Sequence, residues 1–373
     1  MLRINFSILT EDGEAPKPTE KVSSVQAAGI SMFRSMDLEM QQKLISPEIG
    51  LHYPYKGYLD YICYSPEEHL NITAPLNLFF KDSPHAFDEG GLEGDLVNTG
   101  LIARHEFTKS ASETHIIAPI ASDIMQVNEY LPPNIELKLR FWPANDDFFI
   151  MSGEPATERY KYKINDIVLQ MTGYEVSDQV LVRHHQILSK TNARLHYKKS
   201  VLKSYQIPAD LSTWTINHFL QGDIPWDMIL GFYNADSFIG SLNSNPYNAA
   251  HHNLIYLSLE TEGYQSITFR PNYDKNVWSR EYAALYEPEH GQVVPFTPLV
   301  KYRDFPGGYC YYRFALGNQQ VERLLRKRNG QSRLIINFSK NLTSAVSCLV
   351  YARYHTFLEI DLSKNVYLAH ECN

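Results

Sequence analysis

Read for the alternation of apolar and polar positions, the chain divides into short β segments. Met36, Leu38 and Met40 alternate with Asp37, Glu39 and Gln41, and Ile135-Glu-Leu-Lys-Leu-Arg-Phe141 sets four apolar residues against three charged ones. A period of two with one apolar parity is the pattern of a strand in a sheet buried on one side. The same period returns near the end of the chain, with Cys310, Tyr312, Phe314 and Leu316 on one face and Tyr309, Tyr311 and Arg313 on the other. Further strands are expected at 332–339, 344–354 and 357–362, and earlier at 214–220, 227–233 and 253–259. Between Tyr160 and Gly173 the phase slips: Tyr160, Tyr162 and Ile164 share one parity, Ile167, Leu169 and Met171 the other. Such a slip predicts a β-bulge or strand break at Asn165-Asp166.

Two stretches carry helical spacing. Val180, Leu181, His184, Ile187 and Leu188 fall on one side of a short helix over 180–190. Asn318 can cap a second helix over 318–328, with Val321, Leu324 and Leu325 as its stripe and Gly330 as its stop. Arg323, Arg326, Lys327 and Arg328 load its last turn, where cations suit the helix dipole. That basic cluster reads as a solvated or subunit-pairing face, with an inward contact to nucleic acid as the alternative. Tyr53-Pro-Tyr-Lys-Gly-Tyr-Leu-Asp-Tyr61 reads as a strand or loop whose rings bury area while their hydroxyls stay near water. Long loops are expected at 81–100, 234–250 and 270–306. Residues 1–30 contain the charged, Pro-bearing run from Thr10 to Glu20 and read as a flexible N-terminal arm.

Composition agrees with β structure. Aromatics make up 13% of the 373 residues, with 25 Tyr and 18 Phe, and such residues suit pleated surfaces. The net charge of −8 argues against a general nucleic-acid binder. Cys63, Cys310, Cys348 and Cys372 lack metal-ligand or redox spacing and fit a reducing compartment, two of them as small apolar residues in strands. No apolar run approaches the roughly 18 residues of a membrane-spanning helix, and no secretory leader is visible at the N-terminus. The sequons at Asn5, Asn71, Asn337 and Asn341 are therefore read as chance.

Candidate chemistry is sparse. Asp82, Asp88, Glu89, Glu93 and Asp95 lie among glycines, but not at the spacing of a calcium loop. The pairs His184-His185 and His251-His252 lack a supporting carboxylate at zinc-ligand spacing. No nucleophile elbow, phosphate loop or dinucleotide fingerprint occurs. No catalytic, cofactor-binding or metal-ligating residue is assigned, and no cofactor or small-molecule substrate is expected. A carbohydrate-binding or hydrolytic β-sandwich stays open as an alternative, because its two acids can lie far apart in the chain.

The expected fold is all-β: two consecutive antiparallel eight-stranded jelly-roll sandwiches with short helices in loops, residues 31–204 forming the first and 205–373 the second. Gly307-Gly-Tyr-Cys-Tyr-Tyr-Arg-Phe-Ala-Leu316, Ile336-Asn-Phe-Ser339, Cys348-Leu-Val-Tyr-Ala-Arg-Tyr354 and Phe357-Leu-Glu-Ile360 resemble, in type and order, the last strands of double jelly-roll major capsid proteins of DNA viruses. More narrowly, the chain is similar to capsid proteins of polinton (Maverick) elements and adintovirus-like relatives. The matching stretches are Met36-Asp-Leu-Glu-Met40, the tyrosine run 53–61, Gly100-Leu-Ile-Ala-Arg-His-Glu-Phe-Thr-Lys109, Ile229-Leu-Gly-Phe-Tyr-Asn-Ala-Asp-Ser-Phe238 and Asn245-Pro-Tyr-Asn248. Together they span most of residues 33–362. The resemblance implies a hexon-like homotrimer with a pseudo-hexagonal outline, tiling an icosahedral shell beside minor capsid and penton proteins, with indirect genome contact. It implies location in the virion, after synthesis in the host cytoplasm and assembly there or in the nucleus. The same elements encode a smaller penton protein with one jelly roll; length and the two-half pattern favour the larger shell protein. The three long loops would then form the outer turret or intersubunit contacts.

Overall fold

The computed structural model describes residues 1–46, 51–65, 67–91, 96–127, 129–155, 157–262, 266–286, 298–316 and 329–369. The first half contributes β1 (Leu2–Thr10), β2 (Val22–Ser24), β3 (Phe33–Met40), β4 (Lys43–Ser46), β5 (Thr114–Ala118), β6 (Leu137–Pro143), β7 (Ile150–Ser152) and β8 (Tyr160–Leu169). They form the antiparallel sheets β5-β1-β8 and β4-β3-β6 and the pair β2-β7. The second half contributes β9 (Ala193–Ile207), β10 (Thr213–Ile216), β11 (Gln221–Asp223), β12 (Asp227–Asn234), β13 (Leu254–Thr261), β14 (Ile267–Phe269), β15 (Tyr311–Ala315), β16 (Asn329–Phe338), β17 (Val346–Ile360) and β18 (Val366–Leu368). These build two five-stranded sheets, β10-β16-β13-β14 with β11 on β16, and β15-β12-β17-β18 with β9 on β17. The sheets face each other: Phe232 of β12 meets Phe338 of β16 edge-on at 6.0 Å, and Phe269 of β14 meets Phe314 of β15 at 5.0 Å. Short helices occupy the loops.

The phase slip in β8 is a bulge. Asn5 pairs with Asp166 but Phe6 pairs with Ile164, leaving Asn165 as the extra residue. The helix expected near 180–190 forms over Asp178–Leu188. The helix expected over 318–328, with its basic cluster, lies outside the described residues.

Other expectations are corrected. Residues 1–30 are not a flexible arm, because β1 is the central strand of its sheet and Leu2, Ile4, Phe6 and Ile8 are buried. Those four residues alternate cleanly, but the charged run that follows them dominated the composition of the segment. Ala28–Ser31 is a buried helical turn. The separate strands expected at 344–354 and 357–362 are one strand, β17, paired residue by residue with the whole of β9 from Ile207 to Ala193. The polar pair His355-Thr356 reads locally as a break, yet fifteen registered pairs hold it extended. Because β9 belongs to the second sheet system, a division at residues 204 and 205 falls inside a strand. The chain passes between halves from Leu169 to Ala193, and Pro208 marks only the turn after β9.

The tyrosine run is a helix, His52–Leu59, running into a wider turn over Asp60–Tyr64. Pro54 is tolerated because it lies in the first turn, where backbone N–H groups have no intrahelical acceptor. Gly57 permits close approach: a Cβ there would lie 2.7 Å from Ile30 Cγ2 and 3.2 Å from Ala121 Cβ. Gly57→Val is therefore expected to destabilise the chain by about 1–3 kcal/mol through overpacking. Denaturant unfolding with an unchanged m-value and a lower midpoint is the expected result.

Candidate functional site

No residue was assigned a catalytic role from the sequence, and the described structure concentrates its buried polar chemistry at the join between the two halves. The β15-β12-β17 sheet is covered on both faces. Met228, Leu230 and Phe232 point into the second sandwich, whereas Asp227, Ile229 and Tyr233 point towards the tyrosine helix. The expected half-buried strand around 308–316 is accordingly buried on both sides, with Tyr311 and Arg313 as enclosed as Tyr312 and Phe314.

Tyr55 stacks on Phe238 at 4.6 Å and meets Tyr233 and Tyr247 edge-on at 5.3 and 5.6 Å. Its hydroxyl lies 3.0 and 2.9 Å from the carbonyls of Phe238 and Pro246. Tyr58 stacks on Tyr247 at 4.1 Å, and Gly231 leaves room for the Tyr233–Tyr311 pair. Buried Lys56 reaches Asp60 at 3.0 Å and Asp123 at 3.1 Å. Asp123 accepts the backbone N–H of Ser200 on β9, and Asp60 accepts the hydroxyl of Tyr351 on β17. One lysine thereby ties the helix to two strands of the other half.

Beside it lies a fully buried carboxylate. Asp227 accepts from Arg313 Nε at 2.7 Å, from Arg353 and from the Tyr64 hydroxyl at 2.8 Å. The Arg353 guanidinium sits 3.5 Å from the Tyr64 ring centroid and 4.3 Å from that of Trp226. Burial acts to raise the Asp227 carboxyl, but the charges of Arg313 and Arg353 outweigh it and hold the group below the usual carboxylate range. A second knot joins Asp82 to Arg104 Nη2 at 2.8 Å and to Asn245 Nδ2 at 2.7 Å, and the Tyr309 hydroxyl donates to the Asp82 carbonyl.

This corrects the placement of the long loops in part. Residues 82–88 interlock with 245–248 and with 307–309 inside the join, through Asn245 N–H to Asp88, Asn248 to Asp88 and His85 N–H to the Gly307 carbonyl. Their buried Phe87, Asn245 and Tyr247 cannot serve as a turret. Asp82 and Asp88 are hydrogen-bond acceptors of the join, while Glu93 and Asp95 lie outside the described residues. No group of three or more metal-competent side chains occurs among the described residues.

At the rim of the join two clefts adjoin, of about 380 and 470 Å³, sharing His85, His251 and Pro306. The first is also lined by exposed Glu89, and in the second the rings stack on one another, His251 on Tyr273 at 4.1 Å, Tyr273 on Trp278 at 5.9 Å and Trp278 on Tyr302 at 5.7 Å. Both oxygens of Asp88 are occupied by Asn245 and Asn248. The first His pair, His184-His185, lies exposed on the helix Asp178–Leu188 and far in sequence from this cleft.

No family model matches the chain. An uncharacterized protein of Caenorhabditis elegans, F54H12.2, is 21% identical over an alignment 385 positions long, covering 96% of this chain and 86% of that protein. Among solved structures, that of the Sputnik virophage aligns with a TM-score of 0.59 at 11% identity, over 100% of this chain and 82% of that one. The mavirus major capsid protein aligns with a TM-score of 0.53 at 10% identity, over 98% and 83%. PBCV-1 VP54, as fitted into a reconstruction of the virophage Sputnik, aligns at 0.52 and 13% identity, over 99% and 88%. The fold is the double jelly roll of viral major capsid proteins. In this double jelly roll the join is crossed by hydrogen bonds from Tyr64 to Asp227, from Tyr351 to Asp60 and from Asn245 to Asp82.

Two outcomes follow from the join. Asp227→Asn leaves two buried arginines short of a countercharge and is expected to cost about 3–5 kcal/mol, read from chemical denaturation. His252 is held near pKa 4 by burial first and by the neighbouring His251 second, against a raising hydrogen bond to the Phe232 carbonyl. Its buried Nε2 has no partner among the described residues. The unfolded chain therefore binds a proton that the folded one refuses, and stability falls as the pH drops from about 6.5 to about 4, by roughly 3 kcal/mol. His252→Asn is expected to remove that part of the slope in pH-dependent denaturation.

Proposed function

We propose that this chain is a viral major capsid protein that assembles as a trimer with a pseudo-hexagonal outline and tiles an icosahedral shell. The observation that carries the reading is the alignment of both jelly rolls, in order and over nearly the whole chain, with the mavirus and Sputnik structures. The join supports it. Two sandwiches held together by stacked tyrosines and by hydrogen bonds from hydroxyl and amide groups of one half to buried carboxylates of the other form a rigid block, and three such blocks present six similar lateral faces to a ring. The stretches shared with polinton and adintovirus-like capsid proteins favour that lineage, and the likeness to a protein of an animal genome agrees with it. On this reading the partners are other copies, neighbouring capsomers and minor capsid or penton proteins, and the protein resides in the virion.

Sedimentation of the purified chain tests the proposal. A species of three 43.0 kDa chains, with a six-sided outline in electron micrographs, is the expected result. A chain that stays single at every concentration and salt condition overturns it.

A further inference from the structure

The exposed apolar surface is unevenly placed. Of 22 large apolar side chains that stay exposed among the described residues, nine fall within the 21 residues from Ile167 to Ile187. Three of them end β8. Ile167 and Leu169 are registered with Ile4 and Leu2 of β1, which are 2% exposed, yet they themselves are 43% and 42% exposed. The sandwich core is therefore uncovered at this corner. β8 is also the last strand of its sheet, so one row of its backbone groups has no strand beside it among the described residues.

The other six belong to the connector between the halves. Met171, Tyr174 and Val176 lie on its extended part, and Val180, Val182 and Ile187 on the helix Asp178–Leu188, which buries no residue. Tyr174 meets Tyr130, itself exposed, at 4.6 Å. A helix with an apolar stripe and no core to face is stabilised by what it packs against, because eleven residues are too few for a stable isolated helix in water. Nine half-exposed apolar side chains amount to several hundred Å², the scale at which an apolar patch marks an interaction surface.

We infer that the connector of one copy packs across the open β8 corner of a second copy of this chain. This inference rests on the capsid reading and names the contact through which copies join. Two observations select a second copy as the occupant. Each chain carries both an uncovered corner and an uncovered connector, and within one chain neither covers the other. The connector from 170 to 192 balances Glu175 and Asp178 with Arg183 and Lys190, which gives it no attraction to nucleic acid or an anionic membrane. Repeated by the three-fold rotation of the proposed capsomer, connector on corner leaves neither surface over.

The test compares self-association of the full chain by sedimentation for wild type, Val180→Asp with Ile187→Asp, Val168→Asp, and all three together. The substituted side chains are exposed in the single chain, so thermal unfolding of dissociated chains should be unchanged. Each variant is expected to weaken assembly at least tenfold, and the combined variant no more than the stronger of the two, as for groups that meet each other. Trimers that form with unchanged affinity in every variant overturn the inference and leave the capsid reading standing. Losses that multiply in the combined variant overturn the pairing of connector with corner. Wild-type chains that never associate overturn the capsid reading itself, and this inference with it.

Discussion

The architecture depends on one covered surface: the face of the β15-β12-β17 sheet that meets the tyrosine helix. A sheet in a sandwich ordinarily keeps one face for water. Here Asp227, Arg313, Arg353 and Tyr351 on that second face lie under a helix from the other half. Charges brought out of water this way are tolerable only when paired and hydrogen-bonded. Arg313 and Arg353 pair with Asp227 within the sheet, and the helical segment adds the Tyr64 hydroxyl to Asp227 and accepts the Tyr351 hydroxyl at Asp60.

That interdependence has a consequence for assembly. Domains joined by modest polar contacts move relative to one another as a default. A join filled with stacked rings, two carboxylate–arginine knots and a lysine shared between Asp60 and Asp123 opposes such motion. A shell subunit needs this, because angular play between two sandwiches would spread into the outline of the capsomer. The interlocked segments 82–88 and 245–248 add to the same block instead of forming an outer tower.

The fit between sequence and structure differs by element for physical reasons. The bulge at Asn165 was legible because a period of two makes a one-residue slip visible on both sides of it. The connector helix was legible from its stripe. The tyrosine run was not, since Tyr favours strands by propensity and Pro54 argues against a helix unless the first turn falls on it. His355 and Thr356 looked like a boundary for a related reason: local polarity suggested a turn, and only the facing strand β9 keeps them extended.

From its sequence alone the chain is all-β, built in two halves with phase-marked strands, and similar in order of motifs to double jelly-roll capsid proteins. These features are local, and period and propensity express them residue by residue. Tertiary structure decided that the first ten residues close a sheet, that Tyr311 and Arg313 are buried, that Asp82 and Asp227 serve the join, and that the corner at Ile167 stays open. Alternation tells which residues share a face of a strand. What covers that face is settled by elements far away in the chain, through contacts that no local pattern records.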